Sequence, residues 1–158
     1  MPSDPFLPIL PFYHVTVEAD PRVVCGAARR PLSAEEITAS CELLLATARR
    51  HVCPHWLLDG RHHRDEQPAD LHAWMREEYF PRVRAALGRP VCVAFLVPPA
   101  VWAGLAAKGY DDPLDWHSPA ARLAWFTAEA PARAWLARQD PDRAPARTVP
   151  RHADADRT

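Results

Sequence analysis

Val91-Cys92-Val93-Ala94-Phe95-Leu96-Val97 is an unbroken apolar run, ended by Pro98-Pro99. A half-exposed strand would alternate and a surface helix would show polar positions every turn; this run does neither. Short runs of this kind form strands with layers packed on both faces. His55-Trp56-Leu57-Leu58-Asp59 reads the same way, with an apolar centre and polar ends. Two doubly covered strands with helical sequence between them constrain the chain to an α/β architecture.

The remaining segments fit around this pair. Phe12 to Glu18 alternates and is rich in aromatic and β-branched residues, so a half-buried strand is expected there. Asp20-Pro21 marks a turn, and Val23-Val24-Cys25-Gly26-Ala27 reads as the returning strand of a hairpin, with pairing of the two strands on opposite sides of the third left open. Ser33 and Glu36 have the spacing of a capping box, and Ile37, Cys41, Leu44, Leu45 and Ala48 then share one helical face. Arg49-Arg50 suit the carboxyl end of that helix, and Pro54 stops it. Pro68 can open the next helix, in which Leu71, Met75, Tyr79, Val83 and Leu87 recur every four residues as far as Gly88. Pro81 interrupts it and predicts a kink or break. Val101 to Ala107 fits a short helix. Gly109 to Ala120, with its Gly, Asp and Pro residues, reads as a loop. Leu123-Ala124-Trp125-Phe126 is expected as a last strand, and Thr127 as the cap of a final helix with Ala134-Trp135-Leu136 facing inward.

The expected fold is therefore a single mixed, mainly parallel sheet of about five strands with covering helices, spanning residues 12–139. Residues 1–11, with a proline at every third position from Pro2, form an extended arm, and residues 140–158 carry Val149 as their lone large apolar residue and read as a mobile tail.

The totals exclude several classes. With 19 basic against 20 acidic residues, the chain lacks the basic excess of a general nucleic-acid binder. No apolar run approaches the length of a membrane span, and the amino terminus does not read as a secretory signal. Cys25, Cys41, Cys53 and Cys92 lie in apolar segments without paired spacing, which suits free thiols in a cytoplasmic protein. With only 5 glycines there is no phosphate-cradling Gly-rich loop.

Candidate chemistry gathers around the strand at residues 55–59. His51, Cys53, His55, Asp59, His62 and His63 carry zinc-capable atoms, but their spacing is not that of two close ligand pairs, so no metal or cofactor is expected. Cys53, beside His51 and His55, is the one thiol at an element edge and the only candidate nucleophile; apolar cysteines are usually packing residues. Gly60 is expected to free the backbone into a charged loop, Arg61-His62-His63-Arg64-Asp65-Glu66. Trp102 and Trp116 flank the long loop after the strand at 91–97. They read either as staples against the domain or as anchors at an interface.

The order strand, strand, helix, strand, helix, strand, short helix, strand, helix resembles the STAS domain, the fold of anti-sigma factor antagonists and of the cytoplasmic part of sulfate transporters. The resemblance rests on Trp56-Leu57-Leu58-Asp59 as third strand, and on Phe126-Thr127 with Ala134-Trp135-Leu136 as closing strand and helix. It implies a non-enzymatic module that binds a protein partner. In the antagonists, a Ser following an Asp after the third strand is phosphorylated to switch binding. Here Asp59 is followed by Gly60-Arg61, and no Ser or Thr occurs between Thr47 and Ser118, so that switch is chemically unavailable.

Ligands of open α/β sheets sit outside the carboxyl ends of the strands. The expected binding residues are accordingly Asp59, Arg61, His62, His63, Arg64, Trp102 and Trp116, engaging a protein partner or another copy of the chain, and less readily a small anion. An apolar-ligand carrier using Trp102, Tyr110 and Trp116 is the alternative, and an enzyme using Cys53 or the histidines the third reading.

Overall fold

The computed structural model describes residues 9–62, 69–108 and 115–139; the expectations for the arm before Ile9, for Pro68 and for the tail after Gln139 lie outside them. Strands β1 (Tyr13–Glu18), β2 (Val23–Ala28), β3 (His55–Asp59), β4 (Val91–Leu96), β5 (Asp115–His117) and β6 (Ala121–Phe126) form one six-stranded sheet in the order β1-β2-β3-β4-β6-β5. The four inner strands are mutually parallel, and an antiparallel strand closes each edge. The doubly apolar runs lie at the centre, where both faces need cover.

Alternation along each strand divides the core in two. Val91 and Val93 of β4, with Trp56 of β3 and Val24 of β2, face helices α1 (Ala34–His51) and α3 (Phe80–Leu87). Cys92, Ala94 and Leu96, with Leu57 and Val23, face α5 (Glu129–Arg138) through Ala132, Trp135 and Leu136. Trp56 is 1% exposed, and its indole N–H donates to the Cys53 carbonyl at 3.0 Å, so burial leaves no polar atom of the ring unpaired. On the same face the Tyr13 ring lies over Gly26, where an added Cβ would stand 2.8 Å from Tyr13 Cε2.

The sheet has six strands where the sequence pattern predicts about five. Residues 115–117 of the segment read as a loop are β5, and Trp116 stands opposite Leu123 and packs against the first core. Ser118 closes the hairpin: its N–H donates to the Ala121 carbonyl at 2.9 Å, and its Oγ accepts from the Ala120 and Ala121 N–H groups. A three-residue strand with one apolar side chain leaves no period in the sequence; the pairing with β6 makes it a strand.

Helix α1 begins with the expected capping box. Ser33 Oγ accepts from Glu36 N–H at 3.2 Å and Glu36 Oε1 accepts from Ser33 N–H at 3.0 Å, while Arg30 grips the same carboxylate with two nitrogens. Its end is less usual. Cys53 N–H donates to the Ala48 carbonyl and Val52 N–H to the Arg49 carbonyl, a Schellman arrangement that places Val52 in the left-handed position normally held by glycine. Val52 sits at φ 49° with its side chain exposed, so the strained backbone gains no packing in return. Val52→Gly should therefore stabilise the protein by about 0.5–1 kcal/mol, the relief of strain less the added freedom of the unfolded chain. Urea unfolding with an unchanged slope and a later midpoint is the expected result; an earlier midpoint would contradict it.

The helix expected to kink at Pro81 runs as α2 (Ala69–Trp74), a π-helical turn at Met75–Tyr79, and α3. Pro81 cannot donate to the Glu77 carbonyl, and just before it the Phe80 N–H bonds to Met75, five residues back. The widened turn points Tyr79 into the core, where its ring stacks on Trp74 and its hydroxyl donates to the Cys41 carbonyl of α1. The short helix expected at 101–107 is α4, Pro99–Ala107. Thr127 does not cap the last helix; Ala128 holds that position, with no side-chain hydrogen bond. Among the described residues, no helix is long and apolar enough to cross a membrane.

Candidate functional site: the carboxyl edge of β3

The parallel ladder of β3 with β4 continues past the strand end, as Gly60 N–H donates to the Leu96 carbonyl at 2.8 Å. Gly60 is thereby held in ordinary backbone geometry: among the described residues Gly88 is the one glycine at positive φ, so the conformational freedom expected at Gly60 is not used. This anchor fixes the two side chains that flank it. Asp59 Oδ1 accepts from the Arg61 backbone N–H at 3.1 Å and from Arg61 Nε at 2.9 Å, and Oδ2 accepts from Nη2 at 2.7 Å. The guanidinium is held as a planar fork although nearly half of the Arg61 side chain is exposed.

The electrostatics follow from this geometry. The Arg61 hydrogen bonds hold the Asp59 carboxyl below its usual range against the opposing effect of partial burial, and His62 adds a smaller pull in the same direction. Arg61 is raised, chiefly by Asp59, with Glu129 at the start of α5 contributing at longer range. Sequence reasoning missed Glu129. It belongs to a chain of charges in which Arg133 Nε donates to Glu129 at 2.7 Å while its two terminal nitrogens hold Glu18 of β1 at 2.7 and 2.9 Å. An acidic residue in the first turn of α5 with Arg four positions on was readable in the sequence, but its link to β1 was not.

The structure thus brings Asp59, Arg61 and His62 together, with Arg61 and His62 exposed. His63 and Arg64 lie outside the described residues, as does Tyr110. Trp102 stands in α4, after the neighbouring strand; it is half-buried, and its indole N–H donates to the Trp125 carbonyl at 3.3 Å, which ties α4 to β6. Trp116 is half-buried in β5, the outermost strand, separated from β3 by β4 and β6. It is not part of the Asp59 cluster.

Among the described residues, no group of three His, Cys, Asp or Glu side chains is placed to hold a metal ion. Cys53 is buried, with its sulfur against the His55 and Arg22 carbonyls at 3.4 and 3.5 Å. Burial pushes its thiol up, away from the thiolate that a nucleophile requires. Comparison with known protein families, with curated proteins and with solved structures finds no match to this chain.

Proposed function

We propose that this chain is a non-enzymatic, STAS-like binding module that engages a protein partner through Asp59, Arg61, His62 and the loop they open. One observation carries the reading: an exposed guanidinium is fixed by a bidentate carboxylate at the end of a strand covered on both faces. A long, charged side chain normally loses conformational freedom on binding; one already ordered loses less. The element order supports the STAS comparison, with β5 as an addition before the closing strand. The missing Ser or Thr after Asp59 means that binding is not switched by phosphorylation there. Free cysteines at all four positions fit a reducing, cytoplasmic compartment.

The test is a variant carrying Arg61→Gln, His62→Asn and Arg64→Gln. Its unfolding free energy should stay within about 0.5 kcal/mol of the parent for each site changed. Affinity for a partner recovered by pulldown should fall about tenfold or more, because an arginine fork in a desolvated contact is worth more than 1 kcal/mol. A variant that fails to fold makes the loop structural, and one that keeps every partner at parental affinity removes the site from recognition. Titration with inorganic phosphate, followed by amide shifts at Gly60 and Arg61, separates a small-anion site from a protein surface.

A further inference from the structure

The two edges of the sheet are unequal. The β5 edge is a three-residue strand, whereas β1 offers Tyr13 to Glu18 as a full outer strand. Natural sheets shield long edges with lysine, proline or a bulge. Between Tyr13 and Val17 the sequence has none of these residues, and the β1–β2 register runs without a bulge. Hydrogen-bond parity shows which groups face outward. Arg29 N–H donates to the Phe12 carbonyl, so Phe12 and its even-numbered successors turn their backbone groups toward β2. Val15 and Val17 consequently present N–H and C=O to the outside. Tyr13 N–H, which also faces out, is taken by the Leu10 carbonyl at 3.4 Å. Among the described residues no backbone group meets those of Val15 and Val17.

We propose that β1 pairs antiparallel with β1 of a second copy of this chain, across a two-fold axis at Thr16. This surface is separate from the loop assigned to partner binding. Parity restricts the hydrogen-bonded pairs to odd-numbered residues, and Val15 opposite the partner copy's Val17 is the register that uses both free residues of each strand. The same register sets His14 against the second copy's Glu18, on the face shared with α5. Arg29 Nη2 lies 3.4 Å from His14 Nδ1, so a guanidinium stands at one end of each strand, while at the other Glu18 shares the Arg133 guanidinium with Glu129, two carboxylates on one cation. Antiparallel apposition brings unlike ends together twice. On the opposite face Val15 and Val17, both half-buried against the first core, continue an apolar surface across the axis. Strand pairing of this extent belongs to the small, weak class of interfaces, so the dimer forms reversibly with concentration.

Sedimentation equilibrium on the full chain tests it together with residue-resolved hydrogen exchange. The parent should show a monomer–dimer equilibrium in which protection of the Val15 and Val17 amides rises with concentration. The Thr16 amide, bonded inward, should be protected throughout. Thr16→Lys places two like charges face to face in the close, non-hydrogen-bonded pair and should weaken the dimer about fivefold or more, and Thr16→Glu should do the same. An equimolar mixture of the two variants should recover the dimer as a heterodimer. Three results would overturn the proposal: a parent that is monomeric at every concentration, a dimer indifferent to both variants, or Val15 and Val17 amides protected independently of concentration. The last would show that another segment of the same chain covers the edge.

Discussion

Trp56→Ala should lower the unfolding free energy by about 3–5 kcal/mol, the range for removing a large aromatic side chain from a well-packed core. The figure belongs at the upper part of that range for structural reasons. Trp56 lies on β3, with β2 on one side and β4 on the other, so its surroundings are held by two ladders and cannot collapse into the space left behind. Its ring also abuts Tyr79, at 6.5 Å between centroids, and its loss leaves the Cys53 carbonyl without the indole donor. Urea unfolding followed by far-ultraviolet circular dichroism measures the effect. A loss below about 1 kcal/mol would mean that the surroundings relax, and the account of a rigid centre would fail.

Gly26→Ala is expected to cost about 1–3 kcal/mol, which is large for the addition of a single methyl group. Glycine within a strand usually weakens it, so alanine would stabilise an ordinary site. Here the new Cβ would meet the Tyr13 ring, which is buried and cannot swing aside into solvent. The cause can be isolated with a double-mutant cycle. In a Tyr13→Leu background the same Gly26→Ala change should be close to neutral, with a coupling of about 1 kcal/mol or more between the two positions. Additive effects would place the cost in the backbone and not in the ring.

The sequence revealed this fold to the extent that local pattern determines structure. The apolar runs at 55–59 and 91–97, the Ser33–Glu36 capping box and the four-residue repeat from Leu71 each reflect physics acting within a few residues, and each is found where it was read. What escaped depends on residues far apart in the chain. β5 exists because β6 offers it an edge, and Asp115-Trp116-His117 is too short to show a period of its own. The demand at Gly26 comes from a tyrosine on the neighbouring strand. Pro81 predicted an interruption correctly, but not its form, a π-turn that sets the Tyr79 hydroxyl against the Cys41 carbonyl of α1, 38 residues away in the chain. At the candidate site Asp59, Arg61 and His62 were legible as a charged loop after a buried strand. The fork that Asp59 imposes on Arg61 was not, and neither was the chain of charges through Glu129 and Arg133 to Glu18, which closes across 115 residues.

The order of the parallel strands carries a consequence for what the sheet can hold. β2, β3, β4 and β6 follow one another across the sheet as they follow one another along the chain, and the direction never reverses. The clefts in which doubly wound proteins enclose nucleotides open where successive connections part to opposite faces, and that parting requires a reversal of strand order. In this chain α1 and α3 leave toward the same face, and the end of β3 stands between neighbours whose connections do not diverge around it. Among the described residues the carboxyl edge is consequently a rim and not a mouth. A rim touches a molecule from one side only, and the partner proposed above is accordingly one with a broad surface and not a metabolite that must be surrounded.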